Sequence, residues 1–255
     1  MKICYIKLNK HKRISIRLLA LMLSFVFVLI VCVGSHFARR DTVDAFELSD
    51  SYDGKLIIID AGHGGEDPGA VSESGIFEKD LNLQYALKIG QILENNGFKV
   101  IYTRTDDRLL YKPEENIKGI RKISDLKNRC EVGKENPEAI FVSIHMNSYG
   151  SSKYSGLQVY YSEKNPESKT IAESVQNSVK LSMQQNNSRK IKQGKGIYLL
   201  ENLDSRAILI ECGFLTNKEE CDRLCEKEYQ NNLCFAIVCG IIEYAEENDF
   251  KKDMN

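Results

Sequence analysis

Short apolar runs alternate with helical segments from residue 55 onward, and this alternation is the strongest constraint on the fold. The runs KLIIID (55–60) and AIFVSI (139–144) are rich in isoleucine and bounded by polar loops, which is typical of buried strands. Between them, apolar side chains recur at helical spacing over 78–96, where Asn-Gly ends the pattern. The sequence therefore predicts one α/β domain, with helices on both faces of a mostly parallel sheet.

The same patterns predict the remaining elements. Strands are predicted over 98–104, 156–161, 197–200 and 207–210, and helices over 124–132, 167–185 and 219–248. The segment 106–123 is charged and irregular, which indicates an exposed excursion between elements. A single domain of about 200 residues accounts for everything from residue 55 to the end.

The first 54 residues have a different character. An apolar run of 17 residues extends from Leu18 to Gly34, at the lower limit for crossing a bilayer, and several basic residues precede it. A basic flank is retained in the cytoplasm, so the rest of the chain is expected to be exported. We expect a basic flank over 1–17, a membrane anchor over 18–34, a linker over 35–54 and the exported domain over 55–255. A signal peptide cleaved near Gly34 is the alternative.

Charge and cysteine content limit the partners and the covalent cross-links. The net charge of −1 argues against nucleic acid as a partner. Export permits disulfides, but Cys234 and Cys239 lie in an apolar stretch, where cysteine is usually a small buried side chain. Cys221 and Cys225 lack a second pair that would complete a zinc knuckle. We expect no essential disulfide, and the sequence leaves open the state of these six cysteines: Cys130, Cys212, Cys221, Cys225, Cys234 and Cys239.

Polar side chains follow three of the predicted strands, at the point where each strand ends. A glycine-rich loop with His63 follows the first, His145 and Asn147 follow the strand at 139–144, and Glu211 follows the last. Ligands of open α/β sheets bind beyond the carboxyl ends of the strands. The chain has 4 histidines, and the two outside the N-terminal head both lie at these ends. The sequence thus predicts a functional site there.

Two histidines at this edge suggest a metal site. Catalytic zinc takes three protein ligands, commonly two histidines and a glutamate, and keeps one position open. Four carboxylates near the first strand end are candidates for the third ligand: Glu66, Asp67, Glu73 and Glu78. Glu78 is preferred because it opens the helix that follows the His63 loop, although an acidic residue suits a helix N-terminus in any case. Glu66 and Asp67 lie in a turn, where carboxylates commonly bond their own backbone.

Glu211 is the candidate general base. Three apolar residues precede it, and an ionised carboxylate close to a core needs a compensating role. Zinc can lower the pKa of water to about 7, and a nearby carboxylate can take the proton and pass it to the leaving nitrogen. Structural roles for Glu211, His63 and His145, each hydrogen-bonded at the rim of the sheet, are the alternatives.

Four motifs in order resemble the zinc-dependent N-acetylmuramoyl-L-alanine amidases of bacterial cell-wall turnover: IIIDAGHGGEDPGA, EKDLNL, FVSIHMN and LIECGFLTN. The resemblance runs from Leu56 to the C-terminal region and implies a mixed six-stranded sheet. It implies Zn²⁺ held by His63, Glu78 and His145, with Glu211 as the catalytic carboxylate. The implied reaction is hydrolysis of the amide that joins the lactyl group of N-acetylmuramic acid to L-alanine. Asn147 is a candidate substrate-binding residue.

The resemblance also suggests where the chain acts. A lone catalytic domain behind a membrane segment is similar to the germination-specific amidases of spore formers, so a role in spore cortex maturation is expected. Peptidoglycan is the expected partner, and for a bare catalytic domain an accessory activator protein is a further candidate partner. One alternative is a zinc peptidase that cleaves within the stem peptide, for which metal and base would look alike. Another is a non-catalytic peptidoglycan-binding module, which the presence of all four site residues disfavours.

Overall fold

The computed structural model describes residues 55–117 and 120–253. The predicted basic flank, the apolar segment 18–34 and the linker 35–54 lie outside these residues. Within the described ranges, no helix combines the length and the apolarity that crossing a membrane requires.

Six strands form one mixed sheet, as the resemblance implied. The strands are β1 (Leu56–Ala61), β2 (Lys99–Tyr102), β3 (Ile140–Asn147), β4 (Gln158–Tyr161), β5 (Lys192–Gln193) and β6 (Arg206–Phe214). Their order across the sheet is β2-β1-β3-β6-β4-β5. β2, β1, β3 and β6 are parallel to one another. β4 runs antiparallel to β6 and parallel to β5. The parallel half therefore brings the carboxyl ends of β1, β3 and β6 to one edge.

Helices cover both faces of the sheet, which confirms the predicted α/β class. They are α1 (Glu78–Asn95), α2 (Arg121–Lys134), α3 (Glu167–Ser182), α4 (Tyr198–Asn202), α5 (Lys218–Cys225) and α6 (Lys227–Asp253), with a 3-10 turn at Pro113–Glu115. Successive strand residues point to opposite faces. Accordingly Ile57 and Ile59 of β1 pack in a core formed with α1, α3, α5 and α6, whereas Ile58 packs in a second core under α2 and α4.

The segment 197–200 was predicted as a strand, and that prediction is wrong. It forms the start of α4, with Leu199 and Leu200 buried in the second core. A short apolar run does not by itself distinguish a strand from a buried helical turn. The strand that completes the sheet is instead β5, whose two exposed polar residues carry no apolar signal.

Other element boundaries also differ from the predictions. The helix predicted over 219–248 is two helices, because Glu226 adopts an extended backbone between α5 and α6. β3 and β6 continue past the predicted strand ends, so His145 and Glu211 lie inside the strands, and they are register partners.

The six cysteines of the described residues carry free thiols.

Candidate metal centre

His63, Glu78 and His145 lie together at the carboxyl ends of β1 and β3. Each offers one ligand atom, and these atoms all lie within 4.8 Å of one another. Glu78 Oε1 is 2.8 Å from His145 Nδ1 and 3.3 Å from His63 Nε2. Two imidazoles and a carboxylate are a donor set that catalytic zinc sites use. These three side chains can therefore hold a divalent metal ion.

Glu78 is held in place by its own helix and by the preceding loop. It is the first residue of α1, where the positive end of the helix dipole favours a carboxylate. Its Oε2 accepts a hydrogen bond from the Ala70 amide at 2.8 Å, and its Oε1 accepts one from Asn82 Nδ2 at 3.2 Å. Burial raises the pKa of Glu78, but the two histidines beside it lower it further, well below its usual range. The carboxylate is therefore ionised and fixed toward both imidazoles.

The loop after β1 makes a tight approach to His145 possible. His63 has φ +61°, a left-handed conformation that is uncommon for residues other than glycine. A Cβ placed on the neighbouring Gly62 would lie 2.2 Å from the His145 ring, so only glycine permits this packing. The ring centroids of His63 and His145 are consequently 5.0 Å apart.

Asp67 contacts the opposite side of the His63 ring. Its Oδ2 is 2.8 Å from His63 Nδ1, which leaves Nε2 turned toward Glu78. Burial lowers the pKa of His63, but the hydrogen bonds with Asp67 and Glu78 raise it to about 9. Metal-bound histidines usually donate their second ring nitrogen to such a carboxylate. Of the other carboxylates considered, Glu66 pairs with Arg121 and Glu73 is exposed.

A buried ion pair supports the His63 loop from below. Asp60 of β1 accepts hydrogen bonds from Ser143 Oγ at 2.6 Å and from Arg129 Nη1 at 2.6 Å. Arg129 also donates to the carbonyl oxygens of Ala61 and His63, at 2.6 and 2.7 Å. Burial raises the pKa of Asp60, but the charge of Arg129 lowers it below its ordinary value. Sequence reasoning missed this pair, since nothing in the helical pattern distinguishes Arg129 from a solvent-facing arginine.

Replacing Arg129 with methionine should lower the free energy of unfolding by about 3–5 kcal/mol, because it leaves the Asp60 carboxylate buried without its cation. Urea denaturation of the purified domain measures this change. Lys134→Met is the matched control, because Lys134 lies on the same helix in an exposed pair with Glu131 and should change stability by less than about 1 kcal/mol. Equal losses in the two variants would contradict the structural role of Arg129.

Glu211 lies beside this cluster with an unsatisfied oxygen. Its register partner on β3 is His145, and among the described residues its buried Oε2 has no hydrogen-bond partner. A buried polar atom without a partner costs free energy, so this oxygen indicates a ligand or water that completes the site. Burial raises the pKa of Glu211 to about 7. A carboxyl group with such a pKa can accept and return a proton near neutrality.

Asn147 ends β3 at the same edge of the sheet. It is half-buried, and its carbonyl oxygen accepts a hydrogen bond from the Leu215 amide at 2.8 Å. This contact fixes its backbone at the carboxyl end of the strand, within two residues of His145. A role of its side chain in binding substrate stays a prediction.

Comparison with known proteins gives consistent matches. The family profile described as N-acetylmuramoyl-L-alanine amidase matches residues 57–243. A germination-specific N-acetylmuramoyl-L-alanine amidase of Bacillus subtilis (strain 168) is 34% identical over 237 residues, which cover 92% of this chain and 97% of that protein. The solved CwlD amidase of Clostridioides difficile, in complex with the GerS lipoprotein, is 41% identical with TM-score 0.72, over 75% of this chain and 98% of its own. The solved catalytic domain of the CwlV amidase of Bacillus (Paenibacillus) polymyxa var. colistinus is 35% identical with TM-score 0.64. The match covers 75% of this chain and 98% of that domain.

Proposed function

This chain belongs to the N-acetylmuramoyl-L-alanine amidase family, and on that premise we propose that it is a zinc hydrolase whose site is formed by His63, Glu78, His145 and Glu211. The bond it cleaves in peptidoglycan joins the lactyl group of N-acetylmuramic acid to L-alanine. The observation that carries the proposal is a buried carboxylate oxygen of Glu211 that has no hydrogen-bond partner in the part of the chain that the structure describes. It lies beside a His-Glu-His cluster whose ligand atoms are within 4.8 Å of one another.

The donor set fits zinc. His63 and His145 contribute nitrogen and Glu78 contributes an anionic oxygen, which partly neutralises a dication and leaves a position open for water or substrate. Zinc in such a site supplies Lewis acidity, which makes water nucleophilic near neutral pH and polarises a carbonyl group. The protein orients the ligands through Asp67 on one imidazole and the Ala70 amide on the carboxylate.

Glu211 moves the proton in the proposed reaction. Its Oε2 takes a proton from the water that attacks the lactyl carbonyl carbon. The same carboxyl group then gives the proton to the amide nitrogen as the C–N bond breaks. The products are a lactyl carboxylate on the glycan and a free amine on the L-alanine of the peptide. We also propose that Asn147, at the end of β3, contacts the substrate.

Replacing Asp67 with asparagine should weaken zinc binding by about 10- to 100-fold, because outer-shell carboxylates orient the ligand and raise its basicity. Asparagine keeps the size of the side chain and an oxygen acceptor but removes the charge. Competition with a chromophoric chelator measures the zinc affinity. Asp204→Asn serves as a control, because Asp204 forms an exposed pair with Lys164 and not with the His63 loop. Unchanged affinity in Asp67→Asn would remove Asp67 from the proposed site.

A digest of peptidoglycan tests the proposed reaction. The zinc-loaded protein is incubated with the wall and the products are analysed by mass spectrometry. Free stem peptides that begin at L-alanine, together with peptide-free glycan, are the expected products. Cleavage within the stem peptide would keep the zinc site but make the protein a peptidase. Zinc binding without any cleavage, on both vegetative wall and spore cortex, would leave the binding-module alternative.

We further propose that the chain acts on spore cortex. The support is the Bacillus subtilis relative described as germination-specific, whose length it covers almost completely. Spores that lack the gene should have a reduced content of muramic lactam, since removal of the stem peptide precedes lactam formation. A normal lactam content in such spores would contradict the cortical role and leave the amidase assignment in place.

Export follows from a cell-wall substrate. We propose the arrangement read from the sequence, with a basic flank over 1–17, a membrane anchor over 18–34, a linker over 35–54 and the catalytic domain over 55–255. Fractionation of cells with an antibody against the domain tests the anchor. The membrane fraction should contain a full-length chain, whereas a shortened chain in the medium would indicate a cleaved signal peptide.

An accessory protein is the last part of the proposal. The solved Clostridioides difficile neighbour is a complex with the GerS lipoprotein, which supports the idea that a partner assists this chain as well. Addition of candidate exported proteins to the digest should then raise the rate or the zinc occupancy. Full activity of the isolated domain would make a partner unnecessary.

A further inference from the structure

A groove of about 720 Å³ lies along β4 and the segment 183–192. Five basic side chains line it: Lys153, Arg189, Lys190, Lys192 and Arg223. None of them forms a salt bridge with a carboxylate of the described residues. We refer to this feature as the basic groove.

The acidic residue that lines the basic groove is turned to the protein. Glu220 is 1% exposed, and its two oxygens accept hydrogen bonds from the amides of Gly156 and Phe214, each at 2.8 Å. It offsets part of the positive charge but is not free to pair with the lysines at the surface. The groove therefore presents an excess of positive charge to solvent, which attracts anionic ligands.

Arg189 is the most rigidly held of these cations. Its Nε donates to the Ser155 carbonyl at 2.8 Å, its Nη1 donates to Gln158 Oε1 at 3.2 Å, and its guanidinium lies 4.4 Å from the centroid of the Phe214 ring. A planar guanidinium held in this way matches a carboxylate and loses little entropy when it binds one. The side chain resembles a preorganised anion receptor rather than a solvated surface arginine.

The basic groove begins next to the catalytic carboxylate. Gln158, which accepts the hydrogen bond from Arg189, is the register partner of Glu211 across β4 and β6. Directly opposite residues of antiparallel strands project on the same face of the sheet. Tyr160 projects on the same face, two residues further along β4. Its pKa is raised by burial and then by the charge of Glu211, and is lowered by Arg189. The groove therefore adjoins Glu211 through Gln158.

We propose that the basic groove binds the acidic stem peptide of the substrate, and that Arg189 pairs with one of its carboxylates. The inference rests on the proposed amidase function and names a specificity residue for it. The two sides of the scissile amide differ in charge: N-acetylated sugars are neutral, whereas the peptide carries free carboxylates. A cationic groove beside Glu211 therefore suits the peptide side rather than the glycan.

The test compares two soluble glycan substrates, one with free carboxylates on the stem peptide and one with those carboxylates amidated. With the acidic substrate, Arg189→Gln should raise KM at least tenfold and leave kcat within twofold. With the amidated substrate, the wild-type KM should already be raised, and Arg189→Gln should add nothing. Arg189→Lys should give an intermediate KM, since it keeps the charge and loses the planar fork. Lys180→Gln, an exposed change on α3 outside the groove, is the control.

Kinetics and binding together separate the failure of this inference from that of the amidase function. Release of peptides with the same KM in wild type and Arg189→Gln would overturn the inference and leave the amidase standing. If the wild type releases no peptide, calorimetry with the free acidic stem peptide tests the groove by itself. The inference is supported if the wild type binds the acidic peptide, if Arg189→Gln does not bind it, and if the wild type does not bind the amidated peptide. Absence of binding would overturn the inference. Equal binding of an unrelated oligoglutamate peptide would also overturn it and would indicate that the groove is a docking surface for acidic proteins.

Discussion

Replacing Glu211 with glutamine is expected to lower kcat for release of stem peptides by at least about 100-fold, because general-base assistance is commonly worth that much. Glutamine keeps the size of the side chain but cannot take a proton from water. The metal should remain bound, since His63, Glu78 and His145 are untouched. The expected result is therefore a protein with wild-type zinc content and almost no turnover.

Two measurements on the same preparation check this result: zinc by atomic absorption, and products by mass spectrometry. Glu173→Gln on α3 is the matched control, because the carboxylate of Glu173 is exposed on another element. Its ion pair is a weak one with Lys169, at 3.9 Å. Thermal unfolding shows whether Glu211→Gln is folded. A folded variant with full activity would remove Glu211 from the mechanism, whereas a loss of zinc in step with activity would make it a metal ligand.

The fold was predictable where burial dictates the residue type. β1 is buried on both faces, so its isoleucine run could be read directly as a strand of a parallel sheet. β5 was not predictable, because it consists of two exposed polar residues. α4 was not predictable, because the four-residue apolar run at its start is equally compatible with a strand. β5 lies at the edge of the sheet and α4 packs over its second core, where tertiary packing rather than local pattern selects the structure.

The candidate site was predictable because topology concentrates polar groups at one edge. His63 and His145 stood out as the histidines outside the head, and Glu211 followed an apolar strand. Sequence reasoning named Asp67 only as a candidate metal ligand, whereas the structure places it against the His63 ring. It missed Arg129, whose hydrogen bond reaches a carbonyl 66 residues away in sequence, because no periodicity records such a contact.

The supporting contacts explain how a glycine-rich loop can hold a metal ligand precisely. Arg129 and Arg104 are each 1% exposed, and together they bind the carbonyl oxygens of residues 61, 62 and 63. Buried charged donors of this kind replace the secondary structure that the loop lacks. His63 therefore keeps a left-handed backbone without a helix or strand around it.

Replacing His145 with alanine is expected to abolish zinc binding when one equivalent of zinc is supplied. The activity should fall to that of the metal-free wild type. The variant loses one of three ligands and leaves Glu78 with a single imidazole partner. Loss of an outer-shell carboxylate alone costs about 10- to 100-fold in metal affinity, so loss of a ligand should exceed that. Chelator competition and the digest measure the two effects.

The wild-type protein stripped with a chelator is the appropriate reference for this variant. Added zinc should restore activity to the stripped wild type and should fail to restore it to His145→Ala at the same concentration. Glu211→Gln provides the opposite behaviour, because it should bind zinc and remain inactive. Full zinc occupancy in His145→Ala would show that the ligand set is wrong, since a site of two ligands would not hold the metal against a chelator. The two variants together therefore separate metal binding from proton transfer, which are the two chemical roles assigned to this edge of the sheet.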